Sequence, residues 1–249
     1  MTDKVIVIAG ASAGIGAALA DNLARRHAKL VLVARRKGPL VDLASKVGTG
    51  AFSIVADMTN RDDVKRVVKE SIERFGHIDV WINNVGRGIS RMPSVLTDED
   101  IDLMMLINVK SALYGMQEVL PHFKARGEGQ IINVSSMLGR MPHALQRAAY
   151  SGSKHFLNAI TANFRTEVQQ THPGIQVTLI SPGVVATEFG LNAVHGGVDS
   201  REIPGAQTAE EVADVIAGAI DSREADVYTR PDGRETIVKY FQDLGRVGV

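Results

Sequence analysis

Val5-Ile6-Val7-Ile8-Ala9-Gly10-Ala11-Ser12-Ala13-Gly14-Ile15-Gly16 is the stretch on which the fold turns. Five apolar residues read as a strand buried on both faces. A glycine-rich turn follows, spaced G-x-x-x-G-x-G, and the next residues take up a helical pattern. A nucleotide pyrophosphate needs a helix N-terminus with unpaired N–H groups and the positive end of the helix dipole. Residues without Cβ let the backbone turn tightly and approach the phosphates. Gly10, Ser12, Gly14, Ile15 and Gly16 are therefore candidate cofactor contacts. A glycine triplet alone is weak evidence and would fit a plain structural turn. Its place between a first strand and a first helix gives it weight.

Outward from that turn, short apolar runs alternate with longer amphipathic segments. Leu30–Ala34, Phe52–Ala56, Val80–Ile82, Ile131–Val134 and Val177–Ile180 read as further buried strands, and Asp226–Thr229 as a weaker seventh. Helical patterns cover roughly 15–26, 39–47, 61–76, 98–125, 149–171 and 208–222, the last opening on a Thr208-Ala209-Glu210-Glu211 capping box. This alternation implies an α/β fold, a doubly wound parallel sheet of seven strands with helices on both faces. No linker-like composition cuts the chain, so residues 1–249 are expected to form one dinucleotide-binding and catalytic domain. Residues 188–206 break the rhythm. They hold Gly190, Gly196, Gly197 and Pro204 and leave the C-terminal edge of a central strand. That is where ligands of open α/β sheets bind, so a substrate lid is expected there.

Composition excludes several function classes. Twenty-eight Lys and Arg balance twenty-eight Asp and Glu, which offers no electrostatic case for nucleic acid or a membrane surface. There is no cysteine, hence no disulfide, thiol catalysis or thiolate-bound zinc; a reducing cytoplasm fits. No apolar run approaches the roughly 20 residues of a membrane span. Met1-Thr2-Asp3-Lys4 runs straight into the first strand, so no signal peptide is expected. The seven His show no metal-binding spacing, and no metal is expected.

Two local patterns point to chemistry. The second strand ends at Ala34-Arg35-Arg36, with Arg35 19 residues beyond Gly16. NAD-binding folds place an acid near this point to hold the ribose 2′-hydroxyl. Here guanidinium stands instead, which suits a 2′-phosphate. NADP(H) is therefore expected over NAD(H), with Arg35 the main contact and Arg36 its alternative. Farther on, Tyr150 and Lys154 share a helix face at i, i+4. An ammonium beside a phenol is expected to lower its pKa from about 10 and let it exchange a proton near neutrality. Asn133-Val134-Ser135-Ser136 ends the fifth strand at the same edge of the sheet.

Taken together, the glycine turn, Asp57, Asn83-Asn84-Val85-Gly86, Asn108, Ser136, Tyr150 with Lys154, and Pro182-Gly183-Val184-Val185-Ala186-Thr187 resemble the short-chain dehydrogenase/reductase family from residue 4 to about 229. The resemblance implies that Tyr150 is the general acid, that Ser136 hydrogen-bonds the substrate oxygen, and that Lys154 holds the nicotinamide ribose. It also implies that Asn108 holds a water linking Lys154 to solvent. Asp57 and the Met58 backbone would meet adenine, Asn84 and Gly86 would lie along adenosine, and Pro182, Gly183, Val185 and Thr187 would line the carboxamide and phosphates. A homotetramer or homodimer is the family's usual state. Two positions depart from its pattern: Ala9 stands where Thr is common, and Val85 where Ala is.

The expected activity is NADP(H)-dependent, reversible hydride transfer between nicotinamide and a small-molecule ketone or aldehyde. The alternative is a non-catalytic NADP-binding sensor or scaffold on the same fold. Arg87, Arg91, Arg140, His143 and Arg147 fall near the expected pocket mouth. Solvated loop charges are the plain reading of them, and an anionic substrate the sharper one.

Overall fold

In the computed structural model, which describes residues 1–48 and 50–243, seven parallel strands lie in the order β3-β2-β1-β4-β5-β6-β7. They are β1 (Val5–Ala9), β2 (Lys29–Ala34), β3 (Ala51–Val55), β4 (Val80–Asn83), β5 (Gly129–Val134), β6 (Ile175–Ser181) and β7 (Asp226–Tyr228). Alternate residues of each strand feed two cores. Ile6, Ile8, Leu30, Leu32, Ile82 and Ile132 pack under α1 (Gly14–Arg25), α2 (Lys37–Val47) and α7 (Ala209–Ser222). Val7, Val31, Val33, Trp81, Ile131 and Val177 pack under α3 (Arg61–Phe75), α5 (Ser111–Arg126) and α6 (Ala148–Thr171). Helices on both faces explain why these strands are apolar throughout rather than alternating.

Local chemistry sets the helix ends. Asn60 caps α3 by accepting from Asp62 and Asp63 N–H. Thr97 and Thr208 form capping boxes on α4 (Asp98–Met105) and α7. Gly76 and Gly127 close α3 and α5 in the left-handed region. Two features differ from the sequence reading. The helix expected over 98–125 is interrupted by a π turn at Leu106–Lys110, centred on Asn108. A further helix, α8 (Gly233–Gln242), was not anticipated; it buries none of its residues but Gly233.

Strand order reverses between β1 and β4, and there the connections leave in opposite directions, opening a crevice at the C-terminal ends. The glycine turn lies in that crevice. Gly10 (φ +87°) and Gly14 (φ +53°) adopt left-handed backbone. A Cβ on Gly16 would clash with the Gly10 carbonyl oxygen and lie 2.9 Å from Asn84 Nδ2. Asn84 Nδ2 donates to that same carbonyl at 3.0 Å, which ties the turn to the end of β4.

Gly16→Ala should therefore lower the thermal midpoint by about 2–12 °C, since overpacking costs about 1–3 kcal/mol. Gly38→Ala, in α2 with no atom within 4 Å of the added Cβ, should leave the midpoint unchanged or raise it slightly. Thermal unfolding of the two variants checks this, and equal midpoints would mean that the turn relaxes at no cost.

Candidate active site

The glycine turn forms one wall of the site. Ala13 caps α1 with no side-chain hydrogen bond, and the first turn holds no acid. Its leading N–H groups and positive dipole end thus face the crevice, where an anion suits them. Thr187, from the loop after β6, packs on this turn, its Cγ2 3.3 Å from where a Gly14 Cβ would lie. Gly183 has no room for a Cβ beside Arg230, whose Nε would be 2.7 Å away. Pro182 O accepts from Met137 N at 2.8 Å, and Val185 bridges to Gln207. These contacts lay residues 182–187 across the mouth of the crevice, and the residues present fit a dinucleotide.

At the outer end stand the two arginines. Arg36 Nη2 reaches Ser12 Oγ at 3.4 Å. Arg35 is exposed and makes no side-chain hydrogen bond or ion pair among the described residues. The guanidinium that closes over the turn is thus that of Arg36, where the sequence reading put Arg35 first. Arg36 stands at the N-cap of α2, two residues past the end of β2. Asp57 Oδ1 is occupied by the Thr59 N–H and hydroxyl at 2.9 and 2.8 Å, which orients the carboxylate beside the buried Met58.

The opposite wall carries the reactive groups. Tyr150 sits in the first turn of α6 and Lys154 one turn on, both buried. Ser136 caps a short 3₁₀ turn, its Oγ accepting from Leu138 N at 3.1 Å. One lone pair is thereby taken, and the hydroxyl proton stays free to donate. Ser135 points elsewhere, bonding Asn158, which holds Gly139 O at 2.7 Å. Ser136, not its neighbour, accompanies Tyr150.

Electrostatics here corrects the sequence expectation. Burial pushes the Tyr150 hydroxyl up to about 12, against smaller opposing pulls from the Ser136 hydroxyl and the Arg147 guanidinium. Burial also pulls Lys154 down to about 7. Its Nζ donates to Val134 O at 2.9 Å and lies 5.8 Å from the Tyr150 ring centre. The expected lowering of Tyr150 by Lys154 is absent, because desolvation acts against the charged form of both groups.

Asn108 lies in the π turn, with its side chain bound to protein. Its Nδ2 donates to Arg87 O at 3.0 Å and Ser153 Oγ at 3.1 Å, and its Oδ1 accepts from Arg87 N at 2.8 Å. Both amide protons are spent on protein. What it does is pin the Arg87 peptide, and with it Gly86. A Cβ on Gly86 would lie 3.4 Å from Asn108 Oδ1 and 3.6 Å from Lys154 Nζ, which leaves the floor of the crevice open to Lys154.

Sequence reading missed the framework beneath. Trp81 Nε1 donates to Asn83 Oδ1 at 2.7 Å, Asn83 to Asn133 at 2.8 Å, and Asn133 to Thr161 at 2.9 Å, a fully buried polar chain across β4, β5 and α6. Asparagines inside two apolar strands were the available signal. Within residues 188–206, Val194 is anchored to the segment after β4. Ile89 bridges to Val194, with Val194 N on Gly88 O and Ser90 N on Val194 O, both at 2.9 Å. Phe189 meets the Tyr150 ring edge-on at 5.6 Å. Among the described residues no group of acids and histidines could hold a metal, and no helix is long and apolar enough to cross a membrane.

The family model described as short chain dehydrogenase matches residues 4–197. An uncharacterised oxidoreductase of Staphylococcus epidermidis is 34% identical over 218 residues, covering 88% of this chain and 91% of that one. Another, from Staphylococcus saprophyticus, is 38% identical over 188 residues, 75% of this chain and 76% of that one. Among solved structures, a short-chain dehydrogenase of Sphingobium yanoikuyae in complex with NADPH superposes with a TM-score of 0.81 at 27% identity, over 99% of this chain and 96% of that one. A short-chain dehydrogenase/reductase of Burkholderia phymatum in complex with NAD gives 0.88 at 22% identity, over 98% and 95%, a likeness of fold.

The buried lysine makes a stability prediction. Lys154 titrates near 7 in the folded chain, below its ordinary 10.5. Its cost to stability is therefore complete below about pH 7 and fades as pH rises toward 10.5. In cofactor-free protein, Lys154→Met should raise the thermal midpoint at pH 6–7, and the gap should narrow by pH 9–10. Thermal scans across pH check this; parallel curves, or a less stable variant at pH 7, would contradict it.

Proposed function

The chain belongs to the short-chain dehydrogenase family and its relatives are oxidoreductases; we propose that it is an NADP(H)-dependent reductase of a small ketone or aldehyde, reversible toward the alcohol. The observation that carries this reading is Tyr150 buried beside Ser136 and Lys154, across the crevice from an uncapped helix N-terminus that suits a pyrophosphate. A bound reduced nicotinamide supplies the hydride. The chain's own residues do the rest. Gly10, Ser12, Gly14, Ile15 and Gly16 cradle the phosphates, with Thr187 beside them. Asp57, Met58, Asn84 and Gly86 line the adenosine side, and Pro182, Gly183 and Val185 the carboxamide side. Ser136 donates its hydroxyl proton in a hydrogen bond to the carbonyl oxygen. Tyr150, kept in its acid form by burial, delivers a proton to the same oxygen as negative charge develops there. Lys154 holds the ribose, and its titration near neutrality lets it replace the proton that Tyr150 gives up. Asn108 keeps the Arg87 peptide out of the way. Residues 188–206 act as a lid over the bound substrate.

Arg36 and Ser12 support NADP(H) over NAD(H), since planar guanidinium grips a 2′-phosphate and no acid follows β2 along the chain before Asp42. A homotetramer or homodimer would join such chains through α4–α6 and β7; Ile101 and Phe156 stand exposed on those helices.

Tyr150→Phe should keep the fold and NADPH binding while losing at least about 10²-fold in turnover, as the loss of a general acid commonly does. Oxidation of NADPH with a panel of carbonyl compounds reads this, and wild-type turnover in the variant would sink the mechanism. Arg36→Ala should weaken NADPH binding by about 10- to 150-fold, the worth of a charge-assisted hydrogen bond of about 1.5–3 kcal/mol, and barely touch NADH. A kcat/KM for NADPH below that for NADH in the unmutated protein would overturn the cofactor assignment.

A further inference from the structure

Of the arginines around the pocket, the fold disposes of most. Arg91 pairs with the buried Asp100 at 2.8 Å, and His195 takes the other oxygen of that carboxylate at 2.8 Å. Arg140 pairs with Asp226. Arg87 is exposed, its Nε donating to Asn192 O at 3.0 Å. Arg147 is different. It is half-buried, and among the described residues it makes no ion pair. A single hydrogen bond holds it, from Nη1 to Ile89 O at 3.2 Å. Guanidinium has five N–H donors, so most of its capacity is unspent. Desolvation holds its pKa below the usual arginine value, the mark of a cation buried without its counter-charge.

Its position is built. The guanidinium lies between two glycines, with Nη1 2.6 Å from where a Gly88 Cβ would stand and Nη2 3.0 Å from where a Gly197 Cβ would stand. Any side chain at Gly88 would strike it. The same Gly88 position lies 3.1 Å from Phe189 Cε1, and Phe189 rests on the Tyr150 ring. Arg147 stands at the N-cap of α6, three residues before Tyr150, and its charge is felt at the Tyr150 hydroxyl. A cation with free donors is thus held next to the proton donor, under the loop 188–206, and on the side of the crevice away from the glycine turn.

We propose that Arg147 is the specificity-determining residue of this pocket, and that it binds the carboxylate of an oxo acid whose carbonyl lies within a few bonds of that carboxylate. The inference deepens the reductase reading and rests on it. Hydride adds to the carbonyl carbon, the C=O π electrons move to oxygen, and Tyr150 supplies the proton; the nicotinamide is oxidised and the oxo acid becomes a hydroxy acid. The carboxylate keeps its charge throughout and serves to place the carbonyl against Tyr150 and Ser136. An oxo acid also supplies the anion whose place no acid takes among the described residues.

The test uses the full chain with NADPH, and 2-oxo and 3-oxo acids each matched with its methyl ester. The acid should be preferred, and in Arg147→Gln the ratio of kcat/KM for acid over ester should fall by about 10- to 150-fold, the loss lying in KM. The dissociation constant for NADPH should not move, because the guanidinium lies on the substrate side. Arg147→Lys should recover part of the ratio, and it replaces the glutamine variant if that one fails to fold. Equal losses on acid and ester, with a shifted pH profile of kcat, would mean that Arg147 acts through Tyr150 and would overturn the proposal. So would an unmutated protein that prefers the ester. If no carbonyl compound is turned over with either NADPH or NADH, the reductase reading fails by itself. Calorimetric titration of the same acids into the NADPH-loaded protein then decides the anion site: binding lost in Arg147→Gln supports it, and no binding, or binding unchanged in the variant, overturns it.

Discussion

Everything in the crevice depends on how closely two backbones approach. Gly16 packs so near the Gly10 carbonyl oxygen that no side chain fits between them, and the Asn84 amide bonds that same oxygen. This contact joins the end of β1, the start of α1 and the end of β4 at the point where strand order reverses. The helix dipole, the open N–H groups and the crevice therefore coincide. A Cβ at Gly16 would push α1 away from β4 and remove the alignment that makes the turn an anion site.

Across the crevice, buried hydrogen bonds do the positioning. The chain Trp81–Asn83–Asn133–Thr161 locks β4, β5 and α6 in register inside an otherwise apolar core. Ser135 and Asn158 hold Gly139, and Asn108 holds the Arg87 peptide. Each of these polar groups has found a partner, so each fixes a geometry rather than merely costing burial. Ser136, Tyr150 and Lys154 are presented by elements that this network cannot let slide.

The reactive pair is costly by design. Burial keeps Tyr150 in its acid form and pulls Lys154 down to about 7. Such an arrangement stores instability where a charged or polar ligand can relieve it. Arg147 belongs to the same economy of charge: a guanidinium beside Tyr150 and Phe189, with no acid paired to it among the described residues.

The sequence by itself determined the sheet and the chemistry-bearing residues. Six short apolar runs and a weaker seventh strand, with amphipathic segments between, admit few arrangements, because a parallel strand must be covered on both faces. Glycine spacing and the Tyr150/Lys154 pair were legible because their signals are local: one turn of backbone, one turn of helix. The π turn at Asn108, the closure of Arg36 over Ser12, the commitment of the Asn108 amide and the isolation of Arg147 among paired arginines were decided only in three dimensions. Each depends on which distant segment arrives beside the residue. Asp226 comes 86 residues along the chain to Arg140, and Asp100 lies nine residues from Arg91, while no acid comes to Arg147 among the described residues. Periodicity fixes which face a residue takes; only packing decides what meets it there, and whether water is left to screen its charge.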